Sequence, residues 1–153
     1  FTKGVNVYNI MEGGDRNFTN LEDYMSTVVR KKLGIVPDNV IFRVDKLLGF
    51  GLQVTIYNGE HDLICNTLGV EKWVKRLKWR LRDGYKKSTR EAFSTKSHRL
   101  AGYVKSRRNL KFVYVLISGH MVPLDTPESG LYVLQQIIGN RVPITHANTH
   151  YRS

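Results

Sequence analysis

Hydrophobic and polar positions change period several times along the chain, and each change marks an element. Val54, Thr55 and Ile56 form a β-branched run that favours a pleated strand through Tyr57. Asn58-Gly59 then supplies the positive-φ positions of a sharp exit, and His61 and Asp62 fall in the loop beyond the strand's carboxyl end. Phe112 to Ile117 (FVYVLI) repeats the design: a continuous apolar run, a Ser118-Gly119 break, then His120 at once. Helical period governs three other stretches. Leu21, Tyr24, Met25, Val28 and Val29 share one face behind a Thr19-x-x-Glu22 capping box, with Gly34 and Pro37 as stop signals. Val70, Trp73, Val74 and Leu77 fall at i, i+3, i+4, i+7 in a helix expected over Thr67 to Leu77. Leu131, Leu134, Ile137 and Ile138 make the predicted buried stripe of a last helix, capped by Thr126, started by Pro127 and ended by Gly139.

Between these elements the pattern weakens. Phe1 to Asn9 reads as short and extended, running into a Gly13 to Asp15 loop. Arg80 to Arg99 is basic and weakly patterned, so irregular surface is expected. Leu100 to Ser106, a turn near Arg107 to Asn109, and Lys111 to Ile117 predict a hairpin leading into the His120 loop. Arg141 to Ser153 is a polar tail, where the His146/His150 pair at i, i+4 is read as ordinary tail rather than a metal site. The reading is an α/β protein with an acid and an imidazole in two loops after strand ends, where α/β enzymes hold their chemistry.

Composition narrows this. A chain of 153 residues, 41% hydrophobic, can bury one modest core. Its apolar runs fall far short of the ~20 residues a bilayer requires, so no membrane span is expected. No signal-peptide pattern is visible at Phe1, and a chain starting with Phe reads as a processed product or an excerpt. A single cysteine rules out an internal disulfide framework, and Asn17-Phe18-Thr19 is a glycosylation sequon relevant only in a secretory compartment. Net charge is +11 but uneven: Lys72 to Lys111 holds 15 Lys or Arg against Asp83 and Glu91. Such a block is able to attract a polyanion or an acidic membrane, yet the plain reading is a solvated helix face and surface hairpin. No zinc spacing, base-stacking strand or recognition helix accompanies it, and no nucleic-acid partner is expected.

Asp62 and His120 lie 58 residues apart. In hydrolytic triads an imidazole takes the serine proton while a carboxylate fixes its tautomer and stabilises the imidazolium. On spacing alone an Asp after a strand is more often a turn former. The surrounding residues add a resemblance: Tyr57-Asn58-Gly59-x-x-Asp62-x-Ile64-Cys65, then Trp73 and Leu77-Lys78-Trp79, and finally Gly119-His120-Met121-Val122-Pro123-x-Asp125-x-Pro127 resemble the C-terminal part of the serine carboxypeptidase family. Val5 to Ile10 (VNVYNI) resembles a segment upstream of that family's catalytic acid, so the likeness extends over about Gly4 to Ile138.

The resemblance implies the C-terminal part of an α/β-hydrolase fold with a partial cap or lid: residues 1–43 lid-like, 44–140 the C-terminal half of the core, 141–153 a tail. It implies a serine-type carboxypeptidase acting on peptides, with Asp62 and His120 catalytic, Cys65 and Met121 at the substrate pocket, Asn17 glycosylated, and neither metal nor cofactor. For Cys65 a small buried filler, and for Met121 a core position, are equally open, while His61 reads as surface. The implied setting is the secretory pathway, lysosomal, vacuolar or extracellular. The family's relatives carry a longer stretch near Phe42 to Val44, so Val44 to Leu48 is left to serve as a very short helix. The family's nucleophile stands in a Gly-Glu-Ser-Tyr-Gly-Gly motif well before this region, and no G-x-S-x-G pattern occurs here. The chain is therefore expected to be inactive alone and to need an upstream serine-bearing segment or chain. Two alternatives stay open: a carboxypeptidase-like acyltransferase, which shares the triad, and an inactive basic binding module on the same fold.

Overall fold

The computed structural model describes residue 6, residues 8–12 and residues 39–139. The expected helix behind Thr19, residues 13–38 of the expected 1–43 lid-like segment with the Asn17 sequon, and the tail with His146 and His150 lie outside the described residues. Among these residues the chain order is α1 (Asn39–Gly49), β1 (Val54–Gly59), α2 (Thr67–Val74), α3 (Arg82–Lys87), β2 (Arg90–Phe93), β3 (Gly102–Arg107), β4 (Leu110–Val115), α4 (Val122–Asp125) and α5 (Pro127–Ile138). The strands form one sheet in the order β1-β4-β3-β2. β1 and β4 run parallel, in register from Val54 opposite Leu110 to Gly59 opposite Val115. The β3–β4 hairpin is antiparallel, as is β2 against β3. The parallel pairing brings the ends of β1 and β4, and so both predicted loops, side by side.

Alternation along β4 divides the core. Leu110, Phe112 and Tyr114 point to one face, where they meet Leu48 of α1, Val74 of α2, Leu77, Trp79 and Tyr85. Val113 and Val115 point to the other, against Phe93, Ala101, Val122 and Val133. Gly102 on β3 allows Phe93 and β4 to close in, because a methyl group there would sit 2.1 Å from the Tyr114 carbonyl oxygen.

Several expectations are corrected. Asn58 and Gly59 do not make a positive-φ turn. They are the last residues of β1, and neither is among the left-handed positions, which are Gly51, Arg108, Ile117 and Gly139. The expected short helix at Val44 to Leu48 is eleven residues long, and it runs through the expected 43/44 boundary. α2 ends at Val74, and Leu77 reaches the core from the turn beyond it. Arg80 to Arg99 is not irregular: it contains α3 and β2, whose Tyr85 and Phe93 are buried. β4 stops at Val115, short of Ile117. Tyr8 belongs to a turn and not to an extended run, since the Asn6 side-chain oxygen accepts from the Tyr8 and Asn9 amides at 3.0 and 3.3 Å. Thr126 makes no side-chain cap, and its hydroxyl donates back to the Val122 carbonyl.

The largest correction concerns α5. Its buried residues are Ser129 and Val133, while Leu131, Leu134, Ile137 and Ile138 are 50–60% exposed. Small residues explain the orientation: Gly130 packs so closely on Pro123 of α4 that a methyl group there would lie 2.9 Å from its Cα. The apolar stripe is left exposed, on a helix that approaches β1, the end strand of the described sheet.

The two layers are tied by Glu71 of α2. Its carboxylate accepts from the Tyr114 hydroxyl at 3.0 Å and Arg90 at 2.9 Å, and pairs with Lys75 at 3.3 Å. Burial pulls its pKa up, but the hydrogen bonds from Arg90, Tyr114 and Lys75 outweigh that and hold it below the usual 4.5. A depressed carboxylate stabilises the fold above its unfolded pKa, and that contribution disappears as pH falls through the folded value. Chemical denaturation measured stepwise below about pH 4.5 should therefore show a loss of stability that is smaller in Glu71→Gln. Equal acid slopes in the two proteins would refute the assignment.

Candidate active site

The ends of β1 and β4 are zipped together by backbone. Glu60 N–H donates to the Val115 carbonyl at 2.9 Å, and His61 N–H donates to the Ser118 carbonyl at 2.8 Å. Gly59 is required by this approach: a methyl group there would stand 2.1 Å from the Gly119 carbonyl oxygen and 2.5 Å from that of Ser118. The buried Asn58 amide donates to the Gly59 carbonyl at 2.8 Å and the Thr67 hydroxyl at 3.1 Å, anchoring the strand end to the start of α2.

Asp62 is buried, whereas the His120 side chain is 38% exposed. Asp62 Oδ2 lies 2.7 Å from His120 Nδ1, inside the ~3.2 Å reach expected of a carboxylate–imidazole pair. Asp62 Oδ1 accepts from the Cys65 amide at 2.9 Å, which fixes the carboxylate's rotation. An ionised carboxylate only accepts, so Nδ1 carries the proton and Nε2 is the basic nitrogen left available.

The histidine loop is held from a third direction. His120 N–H donates to the Tyr8 carbonyl at 2.6 Å, and the Tyr8 ring lies 5.3 Å from the imidazole, tilted by 57°. Asp125 Oδ2 accepts from the Gly119 amide at 2.7 Å and from Asn9 Nδ2 at 3.1 Å. Ile10 N–H reaches the His61 carbonyl at 3.0 Å, so this short segment bridges both loops. Gly119 again has no room for a side chain, since a methyl would sit 2.1 Å from the Tyr8 carbonyl oxygen. Ile117 takes φ 58°, a left-handed value costly for a β-branched residue, immediately before Ser118. Sequence reasoning quoted Asp125, Tyr8 and Asn9 only as parts of motifs and gave them no task. Their signal was the length of those motifs, which extend beyond the acid and the base.

The other expected site residues are adjacent to the pair. Cys65 is exposed, and its donor atom lies within 4.8 Å of those of Asp62 and His120. Burial, and then the Asp62 charge, push its thiol pKa up, so it stays protonated and a weak nucleophile. The three groups form a donor set a metal ion could address, but Asp62 and His120 already satisfy each other. Met121 is exposed beside His120, and its carbonyl accepts from Leu124 and Asp125 in α4. His61 is partly buried and contributes through its backbone. Ser118 is fully buried, with its hydroxyl donating to the Gly119 carbonyl, and is not presented to the imidazole.

The sequence profile of serine carboxypeptidases matches residues 7–140. The chain belongs to the serine carboxypeptidase family. Serine carboxypeptidase-like 51 of Arabidopsis thaliana is 36% identical over 140 residues, covering 77% of this chain and 30% of that protein. The retinoid-inducible serine carboxypeptidase of Mus musculus is 36% identical over 140 residues, covering 76% of this chain and 31% of that protein. The crystal structure of a prohormone-processing carboxypeptidase from Saccharomyces cerevisiae superposes with a TM-score of 0.67 at 23% identity, over 91% of this chain and 38% of that one. The described sheet and helices are thus part of an α/β-hydrolase fold. The chain spans about three tenths of the length of these family relatives.

Asp125 has a definite expected effect within this family site. Asp125→Ala would leave the Gly119 amide and Asn9 without an acceptor and release the loop that aims His120. With His120 read as the base of a hydrolytic triad, kcat of the complete protein is expected to fall about a hundredfold with KM little changed, because misplacing such a group by ~1 Å costs on that order. Asp125→Asn retains one accepting oxygen and should recover part of the loss. A purely structural role would instead lower thermal stability and leave the kcat of the folded fraction intact.

Proposed function

We propose that this chain supplies the acid and the base of a serine-type carboxypeptidase, an enzyme that hydrolyses the C-terminal peptide bond of its substrate. The observation carrying the proposal is the 2.7 Å contact between buried Asp62 and exposed His120 across the ends of two parallel strands. His120 Nε2 removes the proton from a serine hydroxyl as it attacks the scissile carbonyl, and Asp62 stabilises the imidazolium that forms. His120 then returns the proton to the leaving amine. A water deprotonated by the same nitrogen releases the acyl group in the second half of the reaction. Cys65 and Met121, flanking the pair, would form part of the substrate pocket.

The serine belongs to an upstream segment or separate chain of the same enzyme, which packs on the open edge of β1 and the apolar stripe of α5. Residues before α1 would contribute to a lid over the site. A prohormone-processing yeast neighbour and the Asn17 sequon support a glycosylated protein of the secretory pathway, lysosomal, vacuolar or extracellular. Among the described residues no helix is long and apolar enough to cross a membrane. The test is to produce this chain with its serine-bearing segment and follow release of single C-terminal residues from blocked peptides. Cleavage inside the peptide, or acyl transfer to an alcohol without hydrolysis, would overturn the reading.

A further inference from the structure

At the opposite end of the sheet from His120, three turns are locked into one surface. The Asn109 amide donates to the Leu48 carbonyl at 3.1 Å and the Leu52 carbonyl at 2.8 Å, joining the β3–β4 turn to the turn between α1 and β1. The Asp45 carboxylate accepts from the Lys78 and Trp79 amides at 2.9 to 3.0 Å and draws in the third segment. A cleft of about 340 Å³ lies between them, with Gly49, Gly51, Lys78, Arg80 and Asn109 on its walls. Gly51, at φ 79°, turns the chain sharply and leaves Phe50 78% and Leu52 52% exposed at its rim.

Cations share this end of the sheet: Lys78 and Arg80 line the cleft, and Arg107 and Arg108 stand at the β3–β4 turn beside Asn109. Lys78, Arg80, Arg107 and Arg108 are exposed, and among the described residues none of them makes an ion pair. The nearby acids are engaged: Asp45 by backbone amides, and Asp83 by Arg82 and Lys86. Arg107 lies across α3, with Nε 3.1 Å from where a side chain on Gly84 would begin. Four unpaired cations are too costly to bury in a protein interior, so this end of the sheet remains a solvent-facing surface.

We infer that this pole is a docking surface for an anionic lipid membrane. A lipid interface matches both parts of the pattern, taking Phe50 and Leu52 below the headgroups while the lysine and arginines pair with lipid phosphates and carboxylates. A soluble polyanion would match the charge only. A nucleic acid would find Phe50 alone to stack on here, because Trp79 and Tyr85, the aromatic rings within the basic stretch nearest the cleft, are buried, and the aliphatic Leu52 offers a base no ring. The orientation suits a working enzyme. β4 separates Arg108 from His120 by six residues, about 20 Å, so docking here turns the Asp62–His120 end toward solvent. This inference does not depend on the proposed peptidase reaction.

The test uses the complete protein that carries this chain, sedimented with phosphatidylcholine vesicles with or without phosphatidylserine. Binding is expected only where phosphatidylserine is present, and it should weaken with added salt. Phe50→Ser should weaken it about tenfold, and Arg107→Glu with Arg108→Glu by more than that, each cation contributing about fivefold near such a surface. All three positions are exposed, and circular dichroism would verify folding. As a measurement independent of those losses, the fluorescence of Phe50→Trp should shift to the blue on vesicles containing phosphatidylserine. Retention on heparin without vesicle binding would overturn the proposal in favour of a soluble polyanion. Vesicle binding unaffected by Phe50→Ser, with no blue shift, would overturn it as undirected charge attraction.

Discussion

Replacing His120 by alanine in the complete protein is expected to lower kcat for peptide hydrolysis by about four orders of magnitude or more, with KM changed far less. In the proposed reaction the imidazole accepts a proton only as the serine attacks, so its loss would affect the transition state and leave substrate binding largely alone. Asp62→Asn should cause a fall of similar order for a separate reason. Asp62 Oδ1 is held by the Cys65 amide and Oδ2 faces His120 Nδ1. An amide can turn its NH₂ toward Nδ1, which places the ring proton on Nε2, the atom that must act as base. Because the two residues act as a unit, the double variant should be scarcely worse than either single one. A single-variant loss below about tenfold, or losses that multiply in the double variant, would show that the pair does not perform the chemistry.

The isolated chain should neither cleave peptides nor remain a monomer. Among the described residues no serine occupies a strand-to-helix elbow, and no G-x-S-x-G pattern occurs in the chain, so a fluorophosphonate probe should leave it unlabelled. Among the described residues β1 ends the sheet, and Leu131, Leu134, Ile137 and Ile138 are half or more exposed along α5. An unpaired strand edge next to an apolar patch promotes association. Sizing chromatography should be run at about 0.15 M salt, where a Debye length of about 8 Å screens the repulsion of the basic surface. There the chain is expected to elute as aggregates, and to elute as a defined complex once the serine-bearing segment is added. A monodisperse monomer with a cooperative thermal transition, or stoichiometric labelling of any of its serines, would contradict this.

The acid and the histidine were readable because their signals are local. A β-branched run ending shortly before Asp62, and an apolar run broken by Ser118-Gly119 before His120, are set by backbone preferences within a few residues. The same is true of the β3–β4 hairpin, whose turn at Arg107 to Asn109 places Arg108 in the left-handed region as a tight reversal requires. Arg80 to Arg99 was not readable. Tyr85 and Phe93 become core residues only because β4 passes between the layers to which they belong, and their sequence neighbours are mostly charged or small polar residues that report solvent.

Asn58-Gly59 and α5 mark the boundary between the two kinds of information. An Asn-Gly pair permits a sharp turn and equally permits close backbone approach. The arrival of the Ser118 and Gly119 carbonyls selects the second. In α5 the residue order determined that one face is apolar, through the 3.6-residue period. It did not determine what that face touches, and the packing of small Gly130 on Pro123 turned it outward. The sequence by itself thus determined β1, the β3–β4 hairpin, α2, α5 and the chemical groups just beyond the strand ends, because these follow from preferences within a few residues. The tertiary structure alone decided which groups meet: Asp62 with His120 across parallel strands, Asp125 and Tyr8 behind the histidine loop, and Phe50 on the same far pole as four exposed cations. Those contacts depend on strand order and helix rotation, which depend on the sum of all packing interactions and are written in no single stretch of residues.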